Sequence, residues 1–200
     1  MGFDHVTAPR QGVPFQPYLQ ENRLNLEAKI RELCDRNEIL DCLHNYCRGI
    51  DRFDRELLLS VYHPDAIDDH GAVVGDRETF VNWAMSYHAE HQFSHHHMIF
   101  NPSIDLQGDT AHTEVYWLFF GENKVKPDTM AVGRYLDRFE RRDGRWAIAA
   151  RVCVSESVNE IPATSLPNAY RAALTGNGPS SRDRTDRSYD RPLQPRKPQA

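Results

Sequence analysis

At 200 residues, 40% hydrophobic and 26% charged, the chain has room for one domain of ordinary size plus terminal extensions, and such a core stands without disulfides or metal. Its 24 basic and 29 acidic residues leave a formal charge of −5, no electrostatic footprint for phosphate backbones or anionic lipid, so neither nucleic acid nor membrane is an expected partner. No apolar run approaches the ~20 residues of a membrane span and no basic-then-apolar signal region is visible, so a cytoplasmic location is expected.

Residues 1–22 hold Gly2, Pro9, Gly12, Pro14 and Pro17 without periodicity and are expected to form an irregular arm, packed through Phe15 and Tyr18. Leu26, Ile30 and Leu33, then Ile39, Leu40, Leu43, Tyr46, Cys47 and Ile50, recur at three- and four-residue steps, predicting two helices broken near Asn37. Asp54 is a good N-cap for a helix over Arg55 to Tyr62, which must end at His63 because Pro64 disfavours helix at its predecessor. A strand is predicted over Ala66 to Val74, and Asp76 with Thr79 opens a further helix carrying Phe80, Trp83, Ala84 and Tyr87.

Four strand-like stretches follow, His96 to Leu106, Thr110 to Phe120, Met130 to Arg141 and Arg145 to Ser155, two pairs of them joined by the hairpin turns Gln107-Gly108-Asp109 and Arg142-Asp143-Gly144. Helices first and an antiparallel sheet last predict an α+β fold, with helices on one face of a curved sheet. From Ala163 onward the chain is expected to lack structure, apart from a short helix near Asn168 to Leu174. Cys34, Cys42, Cys47 and Cys153 have no zinc-like spacing and read as reduced structural thiols.

Tyr46 and Asp51 lie five residues apart at the end of the second predicted helix. Asp51 is a candidate base, or simply the end of a helix paired with Arg52 or Arg55, and Tyr46 is a candidate hydroxyl donor or a core aromatic. In His95-His96-His97, strand alternation sends His96 to one face and His95 and His97 to the other, so at least one histidine points inward. A metal site is open to imidazoles, but no HExxH or helically spaced carboxylate accompanies them, and no metal is expected. His63 and His70 bracket the first strand and could line a pocket mouth or serve turn chemistry. Arg134 and Arg151 sit within strands, where each needs a carboxylate or a substrate anion; Asp137, Glu140 and Glu114 are the carboxylates at hand.

Together, Tyr46-Cys47-Arg48-Gly49-Ile50-Asp51, Tyr62-His63-Pro64-Asp65-Ala66, His97-Met98-Ile99-Phe100-Asn101, Gly108-Asp109-Thr110-Ala111 and Gly133-Arg134-Tyr135 through Gly144-Arg145-Trp146 resemble the SnoaL-like branch of the nuclear-transport-factor-two-like superfamily. The resemblance covers about residues 30–158 and implies a cone-shaped, strongly bent antiparallel sheet wrapped around N-terminal helices, enclosing one apolar pocket. Similar proteins include bile-acid dehydratases, scytalone dehydratase, a dehydrochlorinase and lyases of lignin-derived aromatic dimers. What this implies is a cofactor-independent lyase of aromatic compound catabolism, working on a small hydrophobic, aromatic or polycyclic substrate. An isomerase, a ligand-binding protein or a dioxygenase small subunit is the alternative, and a homo-oligomer, dimer or trimer, is implied. By the same resemblance Asp51 and His97 would form an Asp–His dyad beside Tyr46, with His96 competing for the place of His97. Arg151 or Arg134 would face the substrate, and Trp83, Tyr62, Phe100 and Phe119, with Phe93, Met98 and Trp117, would supply apolar walls.

Overall fold

The computed structural model describes residues 15–162, 174, 176–177 and 180–196. Residues Met1–Glu38 and Ile39–Ala200 form two compact units. Helix α1 runs from Phe15 to Asp51 without the expected break at Asn37, and it takes in part of the stretch expected to be an irregular arm. Between Pro17 and Gly49 no glycine or proline interrupts it, and one asparagine costs a helix well under ~1 kcal/mol, too little to end it. In the first unit the pairs Arg23–Glu27 and Arg36–Glu32 brace successive turns, while Leu26, Ile30 and Leu33 are exposed. The rest of the expected arm, residues 1–14, and all but Leu174 of the helix expected near Asn168 fall outside the described residues.

In the second unit α2 (Arg55–Ser60) leads into β1 (Tyr62–Asp69) and β2 (Val74–Asp76), then α3 (Arg77–His91), β3 (Gln92–Gln107), β4 (Thr110–Asn123), β5 (Asp128–Arg142) and β6 (Arg145–Ile161). Asp54 caps α2 by accepting from the Leu57 amide, and Asp76 caps α3 by accepting from that of Thr79. The strand expected over Ala66 to Val74 is two strands. Asp69 accepts from the Gly71 amide, Gly71 takes φ 74°, and the His70 amide reaches the Val73 carbonyl, folding the chain back on itself. Helix α2 is correspondingly shorter than expected, because Tyr62 already belongs to β1.

The six strands lie in the order β2-β1-β6-β5-β4-β3, with β1 and β6 parallel and the other neighbours antiparallel. The expected α+β class holds: the sheet is curled and unclosed, with β2 and β3 at its edges. Breaks of register at Phe100/Ser103, where Asn101 takes φ 48°, and at Val132/Gly133 and Arg138/Phe139 bend the long strands. Odd-numbered residues of β4 and β5, among them Val115, Trp117, Tyr135 and Phe139, turn inward. They join Leu43, Tyr46 and Ile50 of α1 and Phe80, Val81 and Ala84 of α3 in one core.

Residues 180–196 were expected to lack structure; instead they pack beside the end of α1 through polar contacts. Arg182 donates to the His88 carbonyl and covers the Phe53 ring, Tyr189 donates to Asp54, and Arg48 lies 4.7 Å from the centre of the Tyr189 ring. This segment is rich in charge and poor in apolar groups, so hydrophobicity alone gave no signal for it.

The turn out of α1 is tight. Asp54 donates its amide to the Gly49 carbonyl, Phe53 takes φ 50°, and a Cβ on Gly49 would come within 2.9 Å of the Leu58 amide nitrogen. Only glycine lets α2 approach this closely. Gly49→Ala should therefore lower stability by about 1–3 kcal/mol, read as a drop in the urea midpoint at unchanged slope.

Candidate active site

Asp51 is the last residue of α1, so its carboxylate sits at the negative end of the helix dipole, where an anion is disfavoured. Strand β3 compensates. Both carboxylate oxygens accept from the His97 amide, at 3.1 and 3.0 Å, and Oδ1 also accepts from His97 Nδ1 at 2.7 Å. Neither arginine considered as a partner pairs with this carboxylate: Arg55 binds Glu78 and Asn82, and Arg52 faces Asp186 and Ser180. A carboxylate can only accept, so His97 Nδ1 carries a proton, and the neutral ring then has its lone pair on Nε2.

His95 also points inward, as alternation requires. Its Nε2 lies 3.1 Å from the Ile50 carbonyl and 3.7 Å from Asp51 Oδ1, and its ring stacks on His88 at 4.1 Å. His88 Nδ1 in turn bonds Gln92 Oε1 at 2.6 Å. Burial, reinforced by the neighbouring imidazoles and by Arg182, pushes His88 down to about 3 and His95 down to about 2, so both are neutral at ordinary pH. Among the described residues one trio of ligand-type side chains, Asp51, His95 and His97, brings its donor atoms within 4.8 Å of one another. The trio suits a cation poorly. The Ile50 carbonyl requires a proton on His95 Nε2, and a protonated nitrogen has no lone pair for a metal.

His97 opens onto a cavity of about 390 Å³, within the range of small-molecule sites. Phe80, Trp83 and Tyr87 of α3 form one wall; Trp117, Phe119, Ala131 and Tyr135 of β4 and β5 form another; Cys153 and Ser155 of β6 and His70 complete it. The lining is predominantly apolar and aromatic. Trp83, Phe119 and Trp117 are among the lining residues.

Other expected site residues lie elsewhere. His97 and Ile99 face inward on β3, so His96, Met98 and Phe100 face the other side, and Phe100 and Phe93 are exposed. Arg134 points to the outer face, held by Glu156 at 2.6 Å and Glu114 at 3.5 Å. Arg151 faces inward but is wholly buried behind the cavity wall. It donates to both oxygens of Asp137, its neighbour across β5 and β6, at 2.7 and 2.8 Å, and it is sandwiched between the rings of Tyr46 and Tyr135 at 4.2 and 4.1 Å. Tyr46 is not on the lining. Its hydroxyl is buried without a well-formed hydrogen bond, and burial holds its pKa well above the ordinary value. Tyr62 is buried as well, donating to Asp68 Oδ2 at 2.6 Å.

Sequence reasoning passed over Tyr135, Cys153 and Ser155, and it left His70 only as a residue of the mouth. The signal for His70 was the spacing Asp68-x-His70, which puts both side chains on one face of extended chain. The four cysteines are free, and burial pushes the Cys42 and Cys47 thiols up to about 12, in keeping with inert structural groups.

The neutral histidines set an acid limit. In the unfolded chain His88 and His95 take up protons below about pH 6.5, whereas in the fold they resist until about 3 and about 2. Stability contributed by these depressed values is whole above about pH 6.5 and is lost as pH falls from there towards 3. Urea midpoints should fall over that window, and His88→Gln should flatten the fall; an unchanged slope in the variant counts against this assignment.

No curated protein sequence matches the chain. Solved structures do. One is a candidate scytalone dehydratase from Novosphingobium aromaticivorans, 18% identical over 66% of this chain and 91% of that one, TM-score 0.60. A second is the hexachlorocyclohexane dehydrochlorinase LinA-type3 from Novosphingobium barchaimii, 17% identical over 70% and 98% of the chains, TM-score 0.62. A third, from Nostoc punctiforme, has a cystatin-like fold and unknown function, at 18% identity over 67% and 95%, TM-score 0.54. At such identities these likenesses speak for the fold alone. Among the described residues no helix is long and apolar enough to cross a membrane. The SnoaL-like domain family matches residues 31–152, which hold every strand-borne and helix-borne group around the cavity up to the middle of β6, and the chain belongs to that family.

Proposed function

We propose that this protein is a cofactor-independent lyase that removes a proton and a leaving group from a small hydrophobic, aromatic or polycyclic substrate. The observation that carries the reading is the 2.7 Å bond from His97 Nδ1 to Asp51 at the wall of an apolar cavity of about 390 Å³. Asp51 holds the imidazole in the tautomer that turns the Nε2 lone pair to the cavity, and it stabilises the imidazolium once the proton has moved. Aromatic walls exclude water and strengthen that electrostatic support. Among proteins sharing the fold, the names dehydratase and dehydrochlorinase describe losses of water and of hydrogen chloride, both eliminations of a proton together with a leaving group.

An isomerase would use the same base without expelling a group, and it would return the proton to another carbon. A purely ligand-binding protein would consume no substrate, and changes at His97 would alter affinity alone. A homo-oligomer is part of the proposal.

The test is elimination from a benzylic β-acetoxy ketone, followed by absorbance of the conjugated enone. His97→Ala should reduce kcat by roughly 10²–10⁴-fold and Asp51→Asn by a comparable factor, with both variants retaining the wild-type circular dichroism spectrum. Arg134→Ala, on the outer face, should change it by less than about threefold. Wild-type turnover in His97→Ala, or its absence in the wild type, contradicts the assignment.

A further inference from the structure

The cavity has a second carboxylate–imidazole pair that the proposed base does not use. His70, the first residue after β1, lines the cavity, and its Nδ1 lies 2.7 Å from Asp68 Oδ1. Asp68 is fully buried, and its other oxygen accepts the Tyr62 hydroxyl at 2.6 Å, so this carboxylate is fixed from both sides and reaches solvent at neither. The ring of His70 packs at 4.6 Å on Phe80 and at 6.1 Å on each of Trp83 and Tyr135. The bond to Asp68 uses Nδ1 and leaves Nε2 as the nitrogen not engaged by a carboxylate.

We propose that Asp68 and His70 supply the acid of the reaction, with His70 protonating a departing oxygen while His97 removes the proton from carbon, so that the substrate is an alcohol and the leaving group water. This rests on the reading of His97 as the base and narrows it: a halide leaves without a proton, whereas hydroxide at near-neutral pH does not. In the step, His97 Nε2 takes the proton next to an activating carbonyl and the C–H electron pair becomes the C=C bond. The C–O bond at the β carbon breaks, and the Nε2–H of His70 passes its proton to the leaving oxygen. Water departs, and the His97 imidazolium and neutral His70 each exchange one proton with solvent to restore the starting state. No oxidant, reductant or other reactant is consumed.

The surroundings favour a charged His70. The titratable groups around it are Asp68 from β1, Cys153 from β6, Tyr135 from β5 and His88 from α3; Phe80 and Trp83 contribute only rings. Burial keeps Tyr135 protonated and His88 neutral, which leaves the Asp68 carboxylate, with Cys153 beside it, as the groups that hold a proton on His70. Burial pulls the His70 value down, but the hydrogen bonds to Asp68 and Cys153 outweigh it and hold the group at about 9. A raised value means the imidazolium is present below the ordinary ~6.5 and is lost only as pH rises through about 9. Tyr46, by contrast, has its hydroxyl behind the wall, where it cannot meet a leaving group.

Two measurements test this. Nitrogen-15 spectra of histidine-labelled wild-type protein at about pH 7.5 should show both His70 nitrogens protonated, and Asp68→Asn should return His70 to the neutral form. A neutral His70 in the wild type at that pH overturns the proposal whether or not His97 is the base. The second uses a matched pair of probes, a benzylic β-hydroxy ketone and its β-acetoxy counterpart, whose acetate leaves without protonation. His70→Gln should raise the ratio of acetoxy to hydroxy turnover by about 10²-fold, since only the second needs an acid. Wild-type turnover of the hydroxy probe alone should fall as pH passes about 9. An unchanged ratio overturns the acid role. His97→Ala should depress both probes together, so failure of the base would appear as an unaffected His97 variant with the His70 ratio still shifted.

Discussion

The arrangement depends on a carboxylate placed where a helix disfavours it. Asp51 ends α1 on the negative side of the helix dipole and is almost withdrawn from water, and both conditions cost free energy unless hydrogen bonds offset them. They are offset by β3, which sends a backbone amide and an imidazole to the same carboxylate. A surface aspartate would be screened and its grip on a histidine weak; a buried one whose hydrogen bonds come from His97 orients that ring firmly. The local geometry that permits this is the close passage of α2 over Gly49, which turns the chain away and leaves the carboxylate facing the sheet.

Around that contact the interior charges are separated into closed sets. Arg151 and Asp137 neutralise each other beneath the wall, with tyrosine rings above and below the guanidinium. A buried pair of this kind adds little net stability, but removing one partner strands the other at a cost of about 3–5 kcal/mol, so its evident consequence is a rigid backing for Tyr135 and the cavity. His88 and His95, kept neutral by burial, add shape and hydrogen bonds without bringing charge near the base. Asp68 and His70 form the third set, and unlike the buried arginine pair it reaches the lining.

Local signals were the most legible. Asp54 and Asp76 cap the helices they were expected to cap, and the turns at Gly108 and at Asp143-Gly144 join the strands on either side, because each depends on a few adjacent residues. The meeting of Asp51 with His97 spans 46 positions and came from family resemblance, since spacing offers no such pairing. Alternation was sufficient to exclude His96 and Phe100 once His97 faced inward, and to exclude Arg134 once Tyr135 did; treating ring-rich strands as uniformly lining the pocket hid that. Depth was illegible. Tyr46, Tyr62 and Arg151 all point inward, and whether an inward group touches the cavity or lies one layer behind it depends on the bulk of its neighbours. The segment at 180–196 was missed because it is held by arginines, aspartates and one tyrosine instead of apolar surface.

The central claim is that Asp51 fixes which nitrogen of His97 meets the substrate. Nitrogen-15 and proton correlation spectra of the neutral His97 ring read this directly. A proton on Nδ1 and a free lone pair on Nε2 are expected, with this single tautomer lost in Asp51→Asn. A proton resident on Nε2 in the wild type would leave the cavity facing a donor in place of a base, and would contradict it.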